Sequence, residues 1–282
     1  MPMFKASDGT SLFYVEWGQG DPILFLNSLG FCTRMWDYQF AALVPEGFRC
    51  ISFDRRGHGR SDQPAGGYDY DTLADDVAAL IESLDLHDLT LIGHSMAGGE
   101  VVRYLTRHGD GRIARIVLIA PTTPKLLQDE DNPGGLPRAA FDTLWAQWRH
   151  DYPKWVEDNV APFFIPETSR AMMRWATGLL QAPLPVLLAC SRAMAEADFR
   201  AEMRRIRVPA LLIQGDRDCS TPIALTGERS AALLPDCRFL VYRAAPHGLM
   251  YTHMDRLHAD LVPFMREARA MRPIARAAGA GA

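Results

Sequence analysis

Apolar positions in this chain follow two rhythms that alternate through its first 120 residues. The runs Pro22-Ile23-Leu24-Phe25-Leu26, Arg49-Cys50-Ile51-Ser52-Phe53, Leu89-Thr90-Leu91-Ile92 and Ile116-Val117-Leu118-Ile119-Ala120 predict strands, most of them apolar enough to be covered on both faces. Between them lie stretches of helical spacing: residues 36–43, residues 73–84 with apolar side chains at 73, 77, 80, 81 and 84, and residues 101–105. Thr72 is the expected N-cap of the second helix, with Asp75 in its first turn. At the start, residues 4–6 and 12–16 flank Asp8-Gly9, which predicts a hairpin and an antiparallel edge. Alternating strands and helices imply parallel pairing with right-handed crossovers.

The rhythm breaks between residues 126 and 205, where no buried strand is predicted. Helix-like pieces there carry Phe141, Trp145, Trp148, Trp155, Phe163, Phe164 and Trp175, punctuated by prolines. These aromatics serve either as the core of a helical subdomain or as an apolar cover lining a substrate pocket, and the two roles can fall to different residues. The alternation resumes with the strand Ala210-Leu211-Leu212-Ile213-Gln214, a helix near 224–234, a strand at 238–242 and a closing helix around 257–268. Residues 271–282, rich in Ala, Gly and Arg, are expected to fray.

Composition narrows the class without naming a function. Apolar residues are 48% of the chain and charged residues 23%, an ordinary globular balance. A formal net charge of −4 gives no electrostatic reason to expect nucleic acid or an anionic membrane as partner. Five widely spaced cysteines, with no C-x-x-C pair, read as free thiols of a reducing compartment and not as a zinc site. The first residues lack the apolar core of a signal peptide, and no run approaches the roughly 20 apolar residues that span a bilayer. The expectation is a soluble, cytoplasmic protein that needs no metal or cofactor.

In an open parallel sheet, ligands bind beyond the carboxyl ends of the strands. Gly93-His94-Ser95-Met96-Ala97 follows the strand at 89–92 and precedes a helix, with Ala97 where the G-x-S-x-G elbow pattern has its last glycine. A serine on so tight a turn has its hydroxyl pushed out above the sheet. Gly215-Asp216-Arg217-Asp218 follows a later strand, and Ala245-Pro246-His247-Gly248 follows the last one. A serine needs a base to take its proton. An imidazole can accept that proton and return it to a leaving group, and a carboxylate can hold the imidazole in the right tautomer. Asp216 and Asp218 compete for the carboxylate role; Asp216 lies nearer the strand end and suits a supporting role in the turn, whereas Asp218 has the better reach. Oxyanion donors are expected from the backbone amides of Met96, at a helix N-terminus, and Leu29, in the loop after Leu26. His58, His87, His108 and His150 read as solvated loop histidines, His253 and His258 as structural, and His94 as support for the elbow turn. Gly57-His58-Gly59 lacks the third glycine of a dinucleotide loop, and no P-loop or H-E-x-x-H motif is present.

Residues 93–104, Asp131-Asn132-Pro133-Gly134-Gly135-Leu136-Pro137 and Ala245-Pro246-His247-Gly248-Leu249 resemble the cofactor-free bacterial haloperoxidase/esterase group of the α/β-hydrolase superfamily. Asn27-Ser28-Leu29-Gly30, Met35-Trp36-Asp37 and Arg56-Gly57-His58-Gly59 are similar to 3-oxoadipate enol-lactonases, and Asn27-Ser28 stands where most esterases of the group carry His-Gly. The resemblance implies a mostly parallel eight-stranded sheet with helices on both faces and a helical cap insertion. It divides the chain into core (1–125), cap (126–205), core (206–270) and tail (271–282). It also implies Ser95, Asp218 and His247 as a triad acting on a small ester or lactone, with peroxide as a possible acyl acceptor. Rival readings are a cofactor-free lyase or carbon–carbon hydrolase on the same triad, and a non-catalytic small-molecule receptor.

Overall fold

The computed structural model of the chain describes residues 1–267. Strands β1 (Met3–Lys5), β2 (Ser11–Trp17), β3 (Asp21–Leu26), β4 (Phe48–Phe53), β5 (Leu89–His94), β6 (Ile113–Ile119), β7 (Ala210–Gly215) and β8 (Cys237–Tyr242) form one sheet in the order β1-β2-β4-β3-β5-β6-β7-β8. β2 is antiparallel to β1 and β4, and every other neighbouring pair is parallel. Helices α1 (Asp37–Leu43), α2 (Tyr70–Ser83) and α3 (Ala97–His108) connect the first half of the sheet. Between β6 and β7 lie α4 (Arg138–Val160), α5 (Arg170–Thr177), α6 (Leu184–Glu196) and α7 (Arg200–Met203); α8 (Gly227–Leu233), α9 (Leu249–Thr252) and α10 (Met254–Arg266) follow.

The continuous apolar runs form buried strands because successive side chains face opposite layers. Leu24 and Leu26 of β3 join Leu91, Leu118 and Leu212 in a core built with α2 and α3. Ile23 and Phe25 join Ile92, Val117, Ile119, Leu211 and Ile213 in a second core with α1 and α10. Helices therefore cover both faces, and the carboxyl ends of β5, β7 and β8 are left to carry loops.

Local expectations needed adjustment at helix ends. The N-cap of α2 is Asp69, not Thr72: the Asp69 carboxylate accepts from the Thr72 amide at 3.0 Å. The helix starts early because Tyr70 is buried against the elbow, where its hydroxyl donates to the Met96 carbonyl at 3.1 Å. The helix predicted from Trp36 begins instead as a 3-10 turn, Thr33–Trp36, and becomes α1 at Asp37. The helix predicted at 224–234 is Gly227–Leu233, and the closing helix starts at Met254. Residue 268 and the expected frayed tail lie outside the described residues.

Residues 126–205 contain only isolated bridges and no strand among the described residues. Phe141 and Trp145 pack with Leu126, Ala195 and Leu225 in a core of their own, and the Trp145 indole donates to Ser191 Oγ at 2.9 Å. α4 kinks at Asp151 (φ −156°, ψ 82°), just ahead of Pro153. No helix of the described residues is long and apolar enough to cross a membrane.

Candidate active site

Ser95 sits at the end of β5 with φ +58°, left-handed backbone that a non-glycine residue adopts only where its surroundings impose it. The Ser95 amide donates to Ile119 O at 3.0 Å, while its carbonyl accepts from Gly98 at 3.0 Å and Thr122 at 3.2 Å. The tight point of the turn is Gly93, not position 97: a Cβ on Gly93 would lie 2.7 Å from the Ala97 carbonyl oxygen. Ala97 itself is fully buried, so the pattern tolerates its methyl while Gly93 has no room for one.

The two acidic candidates part company after β7. Asp216 is exposed and accepts from the Ala244 amide at 2.7 Å, tying its turn to the one after β8. Asp218 turns inward, with Oδ2 2.8 Å from His247 Nδ1 and 2.7 Å from Thr221 Oγ1. Its Oδ1 accepts from the Ser220 and Thr221 amides at 2.9 and 2.8 Å. Burial would by itself raise the Asp218 pKa, but His247 and the Thr221 donors outweigh it and hold the carboxyl below its usual range. A carboxylate only accepts, so His247 Nδ1 carries a proton and donates it to Asp218 Oδ2. Ser95, Asp218 and His247 are 7%, 5% and 4% exposed.

His94 supports more than its own turn: its Nε2 donates to the His247 carbonyl at 3.1 Å and its ring lies 4.7 Å from that of His247, so it also braces the histidine loop. Burial first, then the neighbouring His247, depresses its pKa to about 3. The 126–205 region reaches the same histidine. Phe163 packs edge-on to His247 at 5.5 Å and stacks on Phe31 at 6.1 Å, and its carbonyl accepts from the Gly248 amide at 3.0 Å. A Cβ at Gly248 would come within 2.4 Å of that carbonyl oxygen, which explains the glycine beside His247.

Leu29 lies in the loop that leaves β3, half-buried. Asn27 anchors this loop: its Nδ2 donates to Phe53 O at 2.8 Å, and its Oδ1 accepts from Trp36 Nε1 and Ser52 Oγ, each at 3.0 Å. Beneath it Arg55 donates to Asn27 O at 2.7 Å and Ser28 O at 3.4 Å, and pairs with Glu100 of α3. Both charged groups are at most 2% exposed. Burial alone would lower the Arg55 pKa; the Glu100 carboxylate more than reverses that, and the guanidinium stays charged. Arg56 is likewise buried against Asp76.

Three of these groups escape sequence reading. Arg55, Glu100 and His58 stand in stretches that read as turn or helix surface, yet all are buried. His58 is a correction: the expected solvated histidine is fully buried, with Nε2 3.2 Å from the Gly30 amide. The polar run Asp54-Arg55-Arg56-Gly57-His58 offers a signal only in hindsight, since pairing charge with charge 45 residues apart needs the fold. His87, His108 and His150 are exposed, but only His87 stands in a loop: His108 ends α3, where it pairs with Asp75, and His150 lies within α4. Among the described residues no cluster of His, Cys, Asp or Glu could hold a metal ion.

The sequence matches the α/β hydrolase fold family over residues 21–182. A non-heme haloperoxidase of Rhodococcus erythropolis is 38% identical, over 94% of this chain and 99% of that protein. A bifunctional esterase/perhydrolase of Acinetobacter calcoaceticus is 32% identical over 94% of this chain and all of that one, and a 3-oxoadipate enol-lactonase of Acinetobacter baylyi is 31% identical over 79% and 84%. The crystal structure of a bromoperoxidase from Bacillus anthracis superposes with a TM-score of 0.90 at 31% identity, covering 94% of this chain and 99% of that one. With its mostly parallel eight-stranded sheet and these similarities, the chain belongs to the α/β hydrolase fold family.

Proposed function

We propose that this protein is a serine hydrolase that cleaves small carboxylic esters or lactones through an acyl-enzyme on Ser95. The observation that carries the reading is the pairing of Asp218 Oδ2 with His247 Nδ1 at 2.8 Å, which commits Nδ1 to the carboxylate and fits Nε2 for the role of base at the sheet end where Ser95 is displayed. His247 takes the Ser95 proton as the hydroxyl oxygen attacks the carbonyl, then delivers it to the departing alkoxide. Asp218 stabilises the imidazolium formed between these steps. Water, deprotonated by the same nitrogen, then displaces Ser95 and releases the acid.

Two amides are arranged to hold the oxyanion. The Ser95 carbonyl is tied to Gly98 and Thr122, and the Ser28 carbonyl to Arg55 and Phe31. A trans peptide sets its N–H opposite its carbonyl, so the Met96 and Leu29 amides point away from those ties. Among the described residues neither amide donates to a protein acceptor. Residues 126–205 act as a cap, bringing Phe163 over His247 and supplying an apolar wall. The esterase/perhydrolase and haloperoxidase relatives favour a second fate for the same acyl-enzyme, in which hydrogen peroxide displaces Ser95 and leaves as a peracid.

Ser95→Ala, assayed on short p-nitrophenyl esters and on lactones, is expected to lose turnover by about 10⁴-fold or more while staying folded. A fluorophosphonate should label the wild type at Ser95 and leave the variant unlabelled. Turnover at the wild-type rate in Ser95→Ala would sink the mechanism. A lyase on the same triad would give no acyl-enzyme in a burst experiment, and a receptor would bind ligand without labelling.

A further inference from the structure

The loop that carries Leu29 is gripped at a second point, by a side chain the proposed mechanism does not use. The Gly30 amide lies 3.2 Å from His58 Nε2, and His58 Nδ1 lies 3.0 Å from the Arg56 carbonyl. A carbonyl can only accept and an amide N–H can only donate, so both contacts demand one tautomer, with the proton on Nδ1 and the lone pair on Nε2. The ring is fully buried, and burial together with the Arg55 charge depresses its pKa to about 3, so the lone pair stays available.

The peptides on both sides of Leu29 are therefore held. On one side the Ser28 carbonyl is tied to Arg55 and Phe31; on the other the Gly30 amide is tied to His58. With both flanking planes fixed, little freedom remains in the direction of the Leu29 N–H. The Gly30 carbonyl meanwhile accepts from the Gln181 amide at 2.8 Å, so the loop is clamped between His58 below and the 126–205 region above.

We propose that His58, as its Nδ1–H tautomer, is a positioning residue that aims the Leu29 amide at the oxyanion formed on Ser95 chemistry. It rests on the reading of Ser95 as nucleophile. Deleting an oxyanion donor costs about 10²- to 10³-fold in rate; loosening one should cost less.

The experiment compares wild type, His58→Asn, His58→Gln and Ser95→Ala on a p-nitrophenyl ester, with a trifluoromethyl ketone as oxyanion-forming inhibitor. Asparagine keeps a donor near the Nδ1 position and loses the Nε2 acceptor; glutamine reaches the Nε2 position with an amide oxygen. The expected result is a roughly tenfold fall in kcat for His58→Asn with KM nearly unchanged, a matching rise in inhibitor Ki, and substantial recovery of both in His58→Gln. A merely structural histidine would lower Tm while kcat per folded molecule and Ki stayed put, and that outcome overturns the proposal. If Ser95→Ala is dead while His58→Asn keeps wild-type kcat and Ki, only the His58 role fails; if Ser95→Ala stays active, the reading beneath it fails. Should neither histidine variant fold, 15N NMR of the histidine-labelled wild type decides: a proton on His58 Nδ1 supports the proposal and a proton on Nε2 overturns it.

Discussion

His94 should act as an acid-sensitive weak point, and its contribution can be isolated by one substitution. The ring is fully buried, and its pKa falls from 6.5 to about 3 on folding, through burial and then the adjacent His247. Between those two pH values the unfolded chain carries a proton at residue 94 and the folded chain does not. The unfolded state binds more protons there, so stability falls as pH falls through this window, is complete above it, and levels off near pH 3. Each pH unit well inside the window is worth about 1.4 kcal/mol, so going from pH 6.5 to 4.5 removes about 2 kcal/mol through His94. His58, depressed to about 3 as well, removes a similar amount. The two together rival a large part of a typical stability of 5–15 kcal/mol.

His94→Gln keeps an amide donor for the His247 carbonyl and has no proton to gain. Urea unfolding of wild type and variant across this range should show the stability difference shifting in the variant's favour by about 2 kcal/mol, whatever the offset at neutral pH. In thermal scans the same shift is about 4–8 °C. Comparing the two proteins cancels the carboxylates, which titrate alike in both. A difference that stays constant from pH 6.5 to 4.5 would show that folded His94 protonates freely, and the reasoning from burial would be refuted.

Two further outcomes follow from the charges around the site. Asp218→Asn should leave substrate affinity nearly intact but lower kcat by about 10³- to 10⁴-fold, because an amide N–H facing His247 Nδ1 favours the wrong tautomer; steady-state kinetics on a p-nitrophenyl ester reads this. Glu100→Leu strands Arg55 as a buried charge and should cost about 3–5 kcal/mol in urea unfolding. Adding Arg55→Met should restore most of that stability but not kcat, since Asn27 O then loses its donor and Ser28 O is held by the Phe31 amide alone.

Much of this protein is legible in one dimension. Period-two and period-3.6 burial depend on local geometry, so the strands around Leu24, Leu91, Leu118 and Leu212 and the helices between them emerge from spacing alone. Chain order carries the chemistry as well: Ser95, Asp218 and His247 each follow a strand, and parallel strands bring all such ends to one edge. Helix starts were less legible, because Asp69 and Thr72 both suit a cap and the burial of Tyr70 decides between them.

What the chain order cannot express is pairing across distance. Asp216 and Asp218 are two residues apart and chemically alike; only the turn after β7 sends one out to Ala244 and the other in to His247. Arg55 and Glu100, 45 residues apart, become one buried pair because the loop after β4 packs on the first turn of α3. His58 looks like any loop histidine until the Gly30 amide is placed against it. Residue type and local periodicity determine which elements form and which chemistry is available. Which polar groups lose water, and which partner repays that loss, is a property of three-dimensional contact, and only the tertiary structure decided it.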